Sequence, residues 1–467
     1  MNNFYNDIDC FRERIAIVTD MGNSITYEKL ISDGANLVEK LEVRSLLFLV
    51  CKNCSESICV YIAALRKGIV PVLINHGIDN KLFQNLLNLY KPSYIYCPSD
   101  WDKLEIETEV ISDYGNFSMK KPGYVKDYDL SDDLALLLTT SGSTGSPKLV
   151  RQSYSNISAN ANSIAQYLCI DKEDKAITTM PMSYTYGLSI INSHLLKGAT
   201  LIVNEYTIMN KEFWTLIKEQ KATTFGGVPY IYEMLQKLRF GRMDLPNLKY
   251  ITQAGGKLSK EMATEFNQIC EDKGIKLIVM YGQTEATARM SYLPWESAKE
   301  KAGSMGIAIP DGEFFLIDEN EDKIIETDQV GELIYKGPNV TLGYANSCYD
   351  LNNIDENQGV LNTGDMAKLD NDGFYYIVGR KKRFLKLFGN RINLDEVEEL
   401  LKKQSFECVC VGEDDKLKIY STEKVDAKLI ISYISKATGI HSSAFEVCFI
   451  EEIPRNEAGK ILYTALR

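Results

Sequence analysis

Six hydroxyl side chains and two glycines crowd the run Thr139–Ser146, and Lys148 closes it, within LALLLTTSGSTGSPK (Leu134–Lys148). Glycine lets a backbone curl until several N–H groups face one anion, and hydroxyls add further donors. With the terminal cation, Thr140, Ser141, Gly142, Ser143, Thr144, Gly145 and Lys148 form a loop suited to a polyphosphate. It is not the G-x-x-x-x-G-K-[ST] loop of kinases and ATPases. Pro147 stands where that pattern needs glycine, and Leu149 where it needs a magnesium-binding hydroxyl. Nor does it read as a flexible linker, which would not follow a buried strand directly. A second set is Tyr281-Gly-Gln-Thr-Glu285. Tyr281 offers a flat face to a purine, and Gly282 leaves room for a ligand beside the backbone. Thr284 can bond a phosphate, and Glu285 can hold the magnesium that accompanies ATP. Helix capping is the plainer use of such residues. A third is Asn362-Thr-Gly-Asp365, read as a turn whose carboxylate accepts bonds from both ribose hydroxyls or merely caps the turn.

These groups need a scaffold, and the apolar patterning supplies one. Leu134–Leu138 is a short unbroken apolar run, the mark of a strand buried on both faces. Strands are expected at Ser45–Val50, Ile69–Ile74, Ala176–Thr179, Thr200–Val203, Ala222–Gly226, Leu248–Thr252 and Leu277–Tyr281. Helices are expected between them, so the sheets should be mostly parallel, with ligands beyond the carboxyl ends of their strands. Residues 99–133 read as a polar connecting segment. From about Glu313, FFLID, GELIYKG and FYYIVG suggest a small antiparallel sheet or barrel. Past the basic run Gly379–Lys386, where Lys381 and Arg383 are expected on a solvated turn, a small α+β unit follows, ending near Lys460. Cys51-x-x-Cys54 falls at a strand-to-helix turn, and ordinary loop cysteines are the expected reading.

Composition narrows the class. With 467 residues, 45% hydrophobic and 25% charged, the chain fits two or three globular domains. A net charge of -12 argues against general nucleic-acid binding. No apolar run is long enough to span a membrane, and the start lacks a secretory pattern. Eleven cysteines without an export signal read as reduced thiols, so a cytoplasmic location is expected.

Together TTSGSTGSPK, YGQTEA, GELIYKGPNVTLGY, NTGD, DGFYYIVGRKK, GNRINLDEVE and PRNEAGKI resemble the adenylate-forming superfamily of acyl- and aryl-CoA synthetases, peptide-synthetase adenylation domains and luciferases. The resemblance implies an α/β fold: a large N-terminal domain of two α/β sheets plus a small β-barrel (residues 1–379). A small mobile α+β C-terminal domain (380–467) would follow, with a hinge near 380–383 at Lys382. It implies ATP-dependent activation of a small carboxylic acid to an acyl-adenylate with release of pyrophosphate. Acyl transfer to CoA or to the phosphopantetheine of an acyl carrier protein would follow. Thr140–Lys148 would hold the β- and γ-phosphates, Thr284 the α-phosphate and Glu285 the magnesium. Tyr281 with Gly255 and Gly256 would bracket the adenine; Asp365 and Arg380 would meet the ribose. Lys460 would serve adenylation, and Lys386 the transfer step. The acid pocket would involve Tyr184, Thr185, Phe225, Gly226, Ala254 and Met280. Thr185 stands where amino-acid-activating members place aspartate, which favours an acid without an α-ammonium over the alternative of amino-acid adenylation. A catalytically silent nucleotide-binding protein is the remaining alternative. Arg289 is expected as a structural ion pair, with a second acidic group on the substrate as its other possible partner.

Overall fold

The computed structural model describes residues 4–139, 148–388, 390–413, 415–423, 426–455 and 461–466. Two compact units emerge. One runs from the N-terminus to Glu313 and takes in Tyr335–Leu361; the other holds Phe314–Ile334 and the chain from Asn362 onward.

In the first unit, Leu46–Cys51 is buried at every position and pairs in parallel with Val70–Asn75 and Tyr94–Pro98. Helix Ser55–Lys67 links the first two and stops at Gly68, whose φ of 78° is the left-handed geometry a helix-ending glycine tolerates. Val70–Asn75 also pairs in parallel with Leu134–Thr139, which turns back as Leu149–Ser153. The expected polyphosphate run therefore leaves the carboxyl end of a central strand. The eight-stranded sheet ends in a ribbon, Thr108–Tyr114 with Phe117–Pro122, where a connecting segment was expected. No residue of Thr108–Tyr114 is fully buried, so this strand carries no apolar alternation to betray it.

A nine-stranded sheet supplies the second layer. Six of its strands run parallel: Ile15–Thr19, Thr200–Val203, Lys175–Ile177, Thr224–Gly227, Tyr250–Gln253 and Lys276–Tyr281. One core joins the two sheets, uniting Leu47, Leu49 and Leu136 with Ile17, Leu201 and the helices Tyr154–Tyr167 and Thr185–Leu196. Each such fully buried aliphatic side chain contributes about 1.5–3 kcal/mol relative to exposure. Ser153 begins the first of these helices with a reciprocal capping box to Asn156. On the other face of the nine-stranded sheet, Phe213, Tyr232 and Phe266 anchor the helices Lys211–Glu219, Pro229–Lys237 and Lys260–Lys273. No helix among the described residues is long and apolar enough to cross a membrane.

The second unit contains a five-stranded sheet in the order Lys323–Ile324, Glu313–Ile317, Gly331–Lys336, Val360–Leu369, Tyr375–Arg380. Asp365 lies inside the strand Val360–Leu369, not at a turn, and forms the first pair with the strand Tyr375–Arg380, opposite Arg380. Helices Leu394–Lys402 and Ala427–Thr438 accompany a three-stranded sheet, Cys408–Glu413, Lys416–Ser421 and Phe445–Phe449. Lys381 and Arg383 are not simply solvated. Lys381 pairs with Glu332 at 2.6 Å. Arg383 is sunk beside Asp395 and Glu398, at 2.5 and 2.6 Å, beneath the Tyr463 ring. The Asp395 and Glu398 charges outweigh the desolvation of its guanidinium.

Candidate active site

Thr284, Glu285 and Ala286 form a short 3-10 turn directly after the strand Lys276–Tyr281. The Glu285 carboxylate accepts a 2.5 Å bond from the Tyr344 hydroxyl, and the Lys148 ammonium sits 3.9 Å from the centre of the same ring. Burial and the Glu285 charge push the Tyr344 hydroxyl pKa upward, so it stays a donor at neutral pH. One aromatic side chain thus spaces a cation from a carboxylate. Oxygen donors from Thr284 and Glu285 beside an ammonium match the needs of a magnesium-bound polyphosphate. Thr140, Ser141, Gly142, Ser143, Thr144 and Gly145 lie outside the described residues, as does Lys460.

The turn is held from behind by Pro338–Tyr344. Thr341 donates its N–H and hydroxyl to the Glu285 carbonyl at 3.0 and 2.9 Å. Asn339 donates to the carbonyls of Ala286 and Arg289 at 2.9 and 3.0 Å. Asn156, at the start of its helix, fastens Pro338 and Val340 in turn. Thr287 adopts φ 63°, ψ -55°, and the Ala288 N–H reaches the Ala286 carbonyl at 2.7 Å, closing a γ-turn. That conformation is costly for a β-branched residue. It persists because the Thr287 hydroxyl bonds Asn339, while its carbonyl accepts from Gln152 and Thr185. Sequence reading assigned no role to Tyr344, Asn339 or Thr287. The partners that tie them to the turn lie fifty or more residues away in the chain, and only the presence of the first two in GPNVTLGY marked them.

Gly282 serves a different purpose from the one its position suggested. A Cβ there would come within 1.8 Å of the Ala288 carbonyl oxygen, so the space belongs to the chain's own backbone. Tyr281 accepts a 3.1 Å bond from Gln283 on its hydroxyl. Gly255 takes φ 82°, and a Cβ there would meet the Tyr184 hydroxyl at 2.8 Å. A Cβ on Gly256 would instead meet the Pro229 ring at 3.0 Å. Tyr184, whose hydroxyl is pushed up to about 12 by burial, starts helix Thr185–Leu196.

Of the other expected pocket residues, Phe225 turns its ring into an aromatic cluster with Phe213, Trp214 and Phe240. Gly226 faces Tyr186, whose hydroxyl bonds Thr252. Ala254 and Met280 are buried in the inter-sheet core. Arg289 departs from expectation. It is 2% exposed, yet among the described residues none of its partners is a carboxylate.

In the second unit, Asp365 and Arg380 face each other across paired strands at 2.8 Å, with the carboxylate buried and the guanidinium half exposed. Lys382 is exposed in the turn Lys381–Arg383, and Lys386 lies in strand Phe384–Leu387. The Cys51 and Cys54 thiols are raised, Cys54 to about 12, by burial, which suits inert structural cysteines.

Residues 4–345 match the AMP-binding enzyme family. The 2-succinylbenzoate–CoA ligase of Oceanobacillus iheyensis is 27% identical over 97% of this chain and 96% of its own length. The ligase of the same name from Bacillus subtilis is 26% identical over 97% and 95%. The fold matches the B. subtilis o-succinylbenzoate CoA synthetase bound to its acyl-adenylate (TM-score 0.79, 21% identity, 100% of this chain and 98% of that one). It equally matches ATP-bound MatB from Rhodopseudomonas palustris (TM-score 0.79, 19% identity, the same coverage). The two α/β sheets, the tyrosine-bridged Lys148–Glu285 pair and the family match converge: the chain belongs to the AMP-binding enzymes of the adenylate-forming superfamily and is an AMP-forming acid–thiol ligase.

Proposed function

We propose that this ligase activates 2-succinylbenzoate, or a closely similar acid, with magnesium-ATP and passes the acyl group to CoA. The observation that carries the reading is its near end-to-end alignment with two 2-succinylbenzoate–CoA ligases. Bound magnesium-ATP supplies an electrophilic α-phosphorus and a pyrophosphate leaving group. Lys148 offsets phosphate charge, and Thr284 donates a hydrogen bond to the α-phosphate. Glu285, its carboxylate held by the Tyr344 hydroxyl, would bind the magnesium. Asp365 accepts from the ribose hydroxyls, with Arg380 beside it. A carboxylate oxygen of the acid bonds the phosphorus as the bond to pyrophosphate breaks. Lys460 stabilises the charge that develops there, where a preorganised cation is worth most. The thiol sulfur then takes the acyl carbon, releasing AMP, with Lys382 as hinge between the steps. Eleven cysteines without a disulfide suit a reducing cytoplasm.

The test is ATP–pyrophosphate exchange with magnesium and no thiol, across aryl, fatty, hydroxy and amino acids. Exchange with 2-succinylbenzoate, followed by thioester formation with CoA, is the expected result. Exchange confined to an amino acid would overturn the assignment.

A further inference from the structure

Arg289 is a buried cation whose direct partners among the described residues are all neutral. Its Nε donates to the Ser189 hydroxyl at 3.2 Å. One terminal nitrogen meets the Tyr167 hydroxyl at 3.2 Å and the Met280 sulfur at 2.9 Å. The guanidinium carbon lies 5.0 Å from the centre of the Tyr186 ring. Its other terminal nitrogen, Nη2, is buried with no hydrogen-bond partner among the described residues. The backbone beneath it is held in place: Asn160 and Asn339 both donate to the Arg289 carbonyl, at 2.8 and 3.0 Å. An arginine cannot shed its proton to escape this cost, so a buried guanidinium with an open donor calls for an anion.

A cavity of about 10 Å³ adjoins it, walled by Arg289, His194, Thr224, Tyr250, Thr252 and Gly226. Burial lowers the His194 pKa to about 4, so the imidazole is neutral and Arg289 is the cation of this wall. The nearby Asp174 is already engaged by Lys249 at 2.8 Å and Thr223 at 3.0 Å. So small a space favours a slim anionic end, one carboxylate oxygen, over a phosphate or sulfonate.

We propose that Arg289 selects acids carrying a second carboxylate, which docks on its open Nη2 while the first carboxylate is adenylated. The inference rests on the ligase reading above and deepens it: 2-succinylbenzoate is already a diacid, and the new element is the determinant of that preference, a residue outside the nucleotide machinery. Arg289 binds and orients; it takes no part in bond making.

The experiment compares matched acids in ATP–pyrophosphate exchange with the full chain: 2-succinylbenzoate against 3-benzoylpropionate, which lacks the ring carboxylate, and adipate against hexanoate. The wild type should favour a diacid on the order of 10²-fold in kcat/KM, because the lone acid leaves a buried charge unmatched. Arg289→Met should erase that ratio through the KM for the acid, with the KM for ATP unchanged, and Arg289→Lys should restore part of it. A wild type without diacid preference overturns the inference while leaving the ligase function intact, even if Arg289→Met fails to fold. A folded Arg289→Met protein that keeps the preference overturns it too. Exchange with no acid of any class would overturn the ligase reading and the inference with it.

Discussion

Tyr344 shows how much one side chain can organise. Its hydroxyl holds Glu285 and its ring face holds Lys148, so a carboxylate and an ammonium are placed near each other without neutralising one another. Direct contact would have satisfied both groups internally and left less for a ligand. Tyr344→Phe keeps the ring and removes the bond to the carboxylate, a charged hydrogen bond worth about 1.5–3 kcal/mol. The expected result is a magnesium requirement raised roughly 10-fold, read from a metal titration of exchange, together with a modest fall in melting temperature. An unchanged magnesium curve would remove Tyr344 from the metal-positioning role. The buried Arg289 belongs to the same level of description, since its selectivity depends on one unmatched nitrogen.

Elements decide whether such residues meet. The turn Thr284–Ala286 is short, strained at Thr287 and without a helix of its own to rigidify it. Its rigidity comes from the facing segment Pro338–Tyr344, which is tied to Asn156. Gly282 is where the two ends of the turn touch. In Gly282→Ala the added methyl would strike the Ala288 carbonyl at 1.8 Å, a backbone contact that no rotamer change relieves. Overpacking of this kind costs about 1–3 kcal/mol in stability. The displaced Thr284 and Glu285 should also lower exchange on the order of 10²-fold, since misplacement by an ångström is that expensive. Thermal melts and exchange rates on one preparation check both; wild-type values in both would show that the turn tolerates the shift.

For the molecule as a whole, a net charge of -12 opposes anionic ligands such as ATP and CoA, so binding depends on a few local cations. Two of these, Lys386 and Lys460, are far apart in sequence and are proposed to serve different steps. Lys460→Ala should lower adenylate formation on the order of 10²–10³-fold yet still transfer a supplied acyl-adenylate to thiol. Lys386→Ala should behave in the opposite way. Rapid-quench measurement of each half-reaction separates them; equal losses in both variants would end the division of labour.

Much of this protein is written in local pattern. Leu46–Cys51 and Leu134–Thr139 are legible as buried strands because a parallel strand covered on both faces must be apolar throughout. Gly68 and Ser153 mark helix ends because backbone geometry and unpaired N–H groups demand such residues there. The glycine-hydroxyl run and YGQTE are legible because their chemistry is local to a few residues. Pairings between distant segments are not. The use of Gly282 for a carbonyl, the strand setting of Asp365, the ion pairs that sink Arg383 and the Tyr344 bridge each depend on which segments fold face to face. The strand Thr108–Tyr114 escaped for the converse reason, having too little burial to impose a period. Arg289 marks the boundary most clearly: sequence shows a cation after a nucleotide motif, and only packing decides that it is buried among neutral partners.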